Sequence, residues 1–151
     1  MENNIKCNFQ VEWRDVDLIG HMRNTAYAEY AAQTRTLYFN QYGNPLEEII
    51  DHGVGPVATR DEVFYFKEFR LSEKFSVNFW LDGMNKRQTR FRYLNEFKNS
   101  QDEVAAMVFT DGIWMDLRLR QMIRPAEAIL SAILGLPKTA SFSSDFQKRP
   151  L

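Results

Sequence analysis

The feature that most constrains this chain is that it holds one long helical repeat and, apart from short pieces, only strand-like alternation. From residue 24 to 42, Tyr27, Tyr30, Ala31, Thr34, Leu37 and Tyr38 recur at helical spacing, while Glu29, Gln33, Thr36 and Asn40 fall elsewhere on the wheel. Asn24 stands where an N-cap is expected, and Gly43 followed by Pro45 supplies a stop. Residues 5–13 before this helix read as a strand. After it, Leu46 to Ile50 is worth one or two helical turns, broken by Gly53 and Gly55-Pro56. Val57 to Phe69 reads as a long strand whose Phe64, Tyr65 and Phe66 are apolar on both faces, so burial on both sides is expected. Phe75, Val77, Phe79 and Leu81 alternate with more polar neighbours, and Gly83 to Lys86 reads as a turn. Gln88 to Phe97 alternates again, residues 98–102 make a polar hairpin turn, and Glu103 to Leu117 is a long strand with Gly112 as its expected bulge. Pro125 opens a short helix to Leu134, and Lys138 to Leu151 reads as a polar, loose tail, so the domain is expected over 1–137.

A sheet made mostly of antiparallel neighbours must hide one face, and the helix at 24–42 is the only long one available. The expected class is α+β, with an antiparallel sheet of five to six strands wrapped around one long central helix. Its other face, rich in Phe and Tyr, calls for cover, which makes a homodimer the expected state. The 151 residues suit one domain, and 19 basic against 20 acidic side chains give no reason to expect nucleic-acid binding. No stretch approaches membrane-spanning length, no apolar run opens the chain, and the single Cys7 rules out an intrachain disulfide. A soluble cytoplasmic protein is the expectation, with no membrane insertion.

The chemistry-bearing residues gather where the first strand feeds the helix. Asp15, Asp17, Gly20, His21 and Asn24 lie together there, and the first helical N–H groups have no intrahelical acceptor and carry partial positive charge. Each residue has an ordinary reading: Asp15 caps a turn, Asp17 alone would do the same, and a lone histidine is more often structural. A metal centre is not expected, because no second histidine is near and His52 follows a separate loop. The Tyr27, Tyr30 and Tyr38 stripe reads first as core. What favours function is that acid, Gly-His, Asn and helix start occur together. Basic residues cluster twice, as Lys86, Arg87, Arg90 and Arg92 and as Arg118, Arg120 and Arg124, where simple solvation is the default.

The pattern Arg14-x-x-Asp17-x-x-Gly20-His21-x-x-Asn24-x-x-Tyr27-x-x-Tyr30, with Arg35 later in the helix and Met115-Asp116-Leu117 followed by Arg124-Pro125, resembles the hotdog-fold acyl-CoA thioesterases of the 4-hydroxybenzoyl-CoA thioesterase-like family. The resemblance spans most of residues 5–130 and implies a hotdog fold and thioester hydrolysis. It gives Asp17 the role of general base or nucleophile, and it assigns His21 and the Asn24 side chain to orienting the water or the thioester. Backbone N–H groups around Arg23 and Asn24 would polarise the carbonyl. Arg23, Tyr27 and Thr59 become candidate substrate contacts, Thr59 across a dimer interface, and Arg118, Arg120 and Arg124 candidate contacts to the nucleotide. No cofactor is implied, since coenzyme A enters as part of the substrate; a homodimer or a dimer of dimers is. One departure is Arg23, which stands where many relatives carry the first of two asparagines. Two alternatives share the scaffold. A dehydratase or hydratase is disfavoured because Met22-Arg23-Asn24 follows His21 in place of a Phe-Pro-Gly run. A non-catalytic acyl or aromatic ligand-binding protein remains open, since fold alone does not fix activity.

Overall fold

The computed structural model describes residues 5–43 and 45–145, and has a hotdog fold. Strand β1 (Lys6–Gln10) leads through a 3-10 turn (Trp13–Asp15) to helix α1 (Asn24–Tyr42) and the two-turn helix α2 (Pro45–His52). Strands β2 (Val54–Tyr65), β3 (Lys74–Met84), β4 (Arg90–Asn99) and β5 (Val104–Asp116) follow, then β6 (Gln121–Met122), α3 (Glu127–Leu134) and β7 (Lys138–Ser143). The sheet runs β1-β3-β4-β5-β2 and is antiparallel along that path, while β6 pairs with β5 and β7 lies parallel to β3. Among the described residues no helix is long and apolar enough to cross a membrane.

Helix α1 lies in the curl of the sheet because one side of it is apolar throughout. Ala26, Tyr27, Tyr30, Ala31, Thr34, Tyr38 and Phe39 are all buried. The first half of α1 packs with Val11, Phe69, Phe75, Val77 and Phe97, and the second half with Phe79, Leu81, Phe91, Tyr93, Trp114 and α3. The Tyr38 hydroxyl donates to the Ala132 carbonyl at 2.6 Å, tying α3 to that second half. Leu37, expected on the apolar stripe, is instead exposed.

Several sequence expectations change. The N-cap is Arg23 and not Asn24, which is already helical; Arg23 caps with extended backbone and no side-chain bond. Strand β2 starts and ends earlier than residues 57–69, and Gly83 and Met84 belong to β3. Phe64, Tyr65 and Phe66 are exposed at 42%, 52% and 57%, because β2 is the last strand of the sheet and not an interior one. The bulge lies opposite Gly112, at Ala58–Arg60, while Gly112 itself pairs regularly with Ala58. The supposed loose tail contains β7, whose Thr139 and Ser141 hydroxyls donate to the Asp82 carboxylate at 2.5 and 2.8 Å. Its last part, residues 146–151, lies outside the described residues.

Candidate functional site

The loop between the 3-10 turn and α1 folds around its own polar groups. Asp15 is buried, at 3% exposed, and its Oδ2 accepts from the Glu12 N–H at 2.9 Å and from the Tyr30 hydroxyl. Asp15 is therefore structural, as its turn-capping reading implied. Removing the Tyr30 donor leaves a buried carboxylate short of a partner, so Tyr30→Phe is expected to lose ~1–3 kcal/mol in urea unfolding. The Tyr30 hydroxyl is itself pushed well above the usual phenol range, by burial first and then by Asp15.

Asp17 faces the other way and is exposed. Its Oδ1 accepts from the Ile19 N–H at 3.0 Å and the His21 N–H at 3.2 Å, which pins one carboxylate oxygen. Gly20, at φ 81°, supplies the left-handed residue that this tight return needs. The backbone of Asp17 bonds to His21 (2.9 Å, Asp17 N–H to His21 carbonyl), so acid and imidazole stand on facing arms of one small loop. His21 Nε2 lies 3.0 Å from Glu68 Oε2, an ion pair whenever the imidazole is protonated. Glu68 also receives Arg70 Nη2 at 3.1 Å.

At the start of α1 the accounting of N–H groups becomes specific. The Arg23 N–H donates to the Asp15 carbonyl at 2.7 Å and the Ala26 N–H to the Arg23 carbonyl at 3.0 Å. Of the first-turn amides, those of Asn24 and Thr25 are the ones with no partner among the described residues. The donors expected around Arg23 and Asn24 are thus shifted by one residue.

Asp17, His21, Asn24 and Tyr27 line one open depression of about 380 Å³, together with Met22, Tyr65, Phe66, Lys67 and Glu68. Tyr27 meets Tyr65 edge-on at 5.0 Å, and its phenol is pushed up to about 12, by burial first and then by Tyr65, Glu73 and Glu68. Arg23 does not reach this depression. Its Nε donates to the Arg14 carbonyl at 3.2 Å, Nη1 donates to the Thr25 hydroxyl, and Nη2 donates to Glu29 at 3.3 Å. Thr59 sits at the β2 bulge with its hydroxyl donating to the Asp111 carbonyl at 3.2 Å, six residues along β2 from Tyr65 and so ~20 Å away in the same chain. Arg118, Arg120 and Arg124 are exposed after β5, at the Val54–Asp116 end of the β2–β5 pair, whereas the depression lies at the Tyr65–Ala106 end. Arg124 Nε donates to Gln88 at 2.7 Å. Within one chain these three arginines and Thr59 stay apart from Asp17.

Glu68, Lys67 and Tyr65 were missed from sequence. An isolated bridge between His21 and Arg70 carries the segment after β2 past the Asp17 loop, and no local pattern announces it.

A sequence model described as the thioesterase-like superfamily matches residues 11–149. Among curated proteins no match reaches significance. Solved structures with the same fold include a hypothetical protein of Staphylococcus aureus in complex with CoA, at 12% identity and TM-score 0.83, covering 100% of this chain and 97% of that one. A 1,4-dihydroxy-2-naphthoyl-CoA thioesterase from Synechocystis aligns at 16% identity and TM-score 0.79, covering 89% and 98%. A DHNA-CoA thioesterase from Staphylococcus aureus aligns at 21% identity and TM-score 0.71, covering 80% of each chain.

Proposed function

Because this chain belongs to the thioesterase-like superfamily, we propose that it is an acyl-CoA thioesterase, hydrolysing the thioester of a fatty or aromatic acyl-CoA at Asp17. One observation carries the reading: Asp17, with one oxygen held by two amides, shares a depression with Asn24, whose N–H is one of two unpartnered donors at the helix start. A thioester carbonyl set against the Asn24 and Thr25 amides would have its developing negative charge met by preorganised donors. The other Asp17 oxygen would then take a proton from water, or attack the carbonyl carbon itself. As base, Asp17 hands the proton it took from water to the departing CoA sulfur, and the acid is released. As nucleophile, it expels the sulfur to leave an acyl anhydride on Asp17, which a water then cleaves to the acid and the free carboxylate, a proton of that water going to the CoA thiolate. His21, positioned by Glu68, stands on the same wall to orient water or sulfur. A relative solved with CoA, and relatives that are CoA thioesterases, support CoA as the thiol.

The separation of Thr59 and the three arginines from Asp17 favours a homodimer as the working unit. β2 is a long terminal strand with no neighbour on its outer side among the described residues, and its aromatic residues are exposed. Antiparallel pairing of two such edges about a two-fold axis brings the Val54–Asp116 end of one copy to the Tyr65 end of the other. Arg118, Arg120 and Arg124 of a second copy would then serve the nucleotide of a substrate bound at Asp17.

The test is thiol release across short, long and aryl acyl-CoAs. Turnover of at least one class is expected; tight acyl-CoA binding with no release anywhere on the panel would favour a ligand-binding protein instead. Co-expressing an Asp17→Asn chain with a chain carrying Ala at 118, 120 and 124 checks the dimer. Each homodimer is expected to be impaired, while the mixture recovers about a quarter of wild-type activity, since half the dimers each regain one of two sites. No recovery in the mixture would place the arginines outside the shared site.

A further inference from the structure

Two apolar surfaces of this chain stand uncovered at opposite ends of β2. At the Tyr65 end, beside the Asp17 depression, Leu18 and Ile19 are the central residues of the turn that the Gly20 N–H closes on the Asp17 carbonyl at 3.1 Å, and both are exposed. Tight turns favour small or polar residues there, so a leucine and an isoleucine at the tip call for a partner. The Ile19 N–H also holds Asp17 Oδ1, so whatever packs on the tip steadies the carboxylate. At the Val54 end stands α2, whose inner side rests through Ile49 on Gly55 of β2. One turn apart on its outer side, Leu46 and Ile50 are 63% and 73% exposed.

Behind α2 lies a cavity of about 440 Å³, within the ~300–1,000 Å³ common for small-molecule sites. The later half of α1, α2 and strands β2, β4 and β5 bound it, and Phe39, Leu46, Ile49, Pro56 and Phe91 make most of its wall apolar. Pro56 and Ala58 place it against the first half of β2, which lies ~20 Å or more from the Tyr65 end of the same chain. In the antiparallel β2-to-β2 dimer that half runs beside the second copy's Tyr65, a residue of the Asp17 depression. The cavity of one copy would then open towards the carboxylate of the other.

We infer that α2 acts in trans: its Leu46 and Ile50 seat on the Leu18–Ile19 tip of the second copy, and the cavity behind it receives the acyl group of the thioester held at that copy's Asp17. Leu46 is the residue that sets specificity, since it belongs both to the exposed stripe and to the cavity rim. The stretch of α1 along the cavity, Ala32 to Asn40, is ~12 Å long. An extended chain of about ten carbons spans that length, so straight acyl groups of medium length are the class that fills it. This rests on the thioesterase reading and its β2-to-β2 dimer, and adds that each site is shaped by the other copy's α2.

Straight acyl-CoAs from butanoyl to palmitoyl are the probes, read by thiol release. In Leu46→Trp the ratio of decanoyl to butanoyl kcat/KM is expected to fall ~10-fold or more, because several methylenes lose their place; an unchanged ratio overturns the proposal. Co-expressing Leu46→Trp with Asp17→Asn tells trans from cis. Decanoyl turnover is expected at about a quarter of wild type, since half the dimers hold one site that joins an intact Asp17 to the native α2 of the other chain. Turnover no higher than Leu46→Trp gives alone would put α2 in cis and end the inference. Leu18→Asp and Ile50→Lys, at positions exposed in the single chain, read the contact without turnover. Each is expected to weaken dimerisation ~10-fold or more in sedimentation by placing an unpaired charge in an apolar contact, and the two in one chain are expected to recover most of that loss. Additive losses, or no loss from either, overturn the proposal. Should the wild type release thiol from no acyl-CoA, the thioesterase reading fails, while this last cycle still decides whether α2 meets the second copy.

Discussion

Asp17→Asn is expected to lower kcat for acyl-CoA hydrolysis by at least ~100-fold, the range associated with losing a general base, while Tm stays at the parent value. The second half of that expectation is what makes the first informative. Asp17 is held through Oδ1, which accepts from the Ile19 and His21 amides. An asparagine side-chain carbonyl accepts the same two bonds, so the loop that presents His21 and the Asn24 amide keeps its shape. What disappears is an oxygen able to take a proton or attack carbon. A drop in kcat with little change in KM and Tm therefore isolates chemistry from architecture. Thiol release at the wild-type rate would sink the assignment. Glu68→Gln would then become the next variant to measure, because Glu68 is another carboxylate of the depression.

The local part of this site was readable in the sequence because its logic is local. Asp17, His21 and Asn24 fall within eight residues, and strand, turn and helix start follow one another without help from the rest of the chain. The same holds for α1 and for β3 to β5, whose buried faces impose periods of 3.6 and 2 on the apolar residues. Tertiary partners decided the remainder. Arg23 caps α1 because its N–H is claimed by the Asp15 carbonyl, which no capping preference encodes. Tyr65 reaches the depression from the end of β2, and Glu68 from the chain that follows it. β7 is a polar strand held by backbone pairing to β3 and by hydroxyls on Asp82, so hydrophobic patterning could not reveal it.

Strand β2 is the instructive failure. Three consecutive aromatics normally signal a strand buried on both faces, yet here they lie at the outer edge, exposed. In the proposed dimer the aromatic run would be buried against a second copy instead of within this chain. That is why the proposed dimer and the misjudged burial of Phe64 to Phe66 are one observation seen twice. Thr59 and Arg118 to Arg124 are disconnected from Asp17 within one chain, and in the proposed dimer a second copy would bring them to it.

Gly112→Ala is expected to be the most damaging single-methyl change to stability. Gly112 sits in β5 between Ala58 of β2 and Phe91 of β4, and the Phe91 ring lies directly over it. A Cβ added there would come within 2.1 Å of Phe91 Cζ, with two more ring carbons at 2.6 and 2.8 Å. Phe91 is stacked on Tyr93 at 4.2 Å and packs near Trp114 on one side, and borders a cavity along α1 on the other. The ring must give up that stacking and tilt towards the cavity, so the cost is expected within the usual range for overpacking, ~1–3 kcal/mol. For a chain of this length that is a fall of roughly 2–12 °C in Tm. The cause is separable from any backbone effect of alanine. In a double-mutant cycle, Phe91→Leu alone should destabilise by opening space, while Phe91→Leu with Gly112→Ala should cost well below the sum of the two single changes. Additive costs in that cycle would show that the contact between ring and glycine is not what requires glycine at this position.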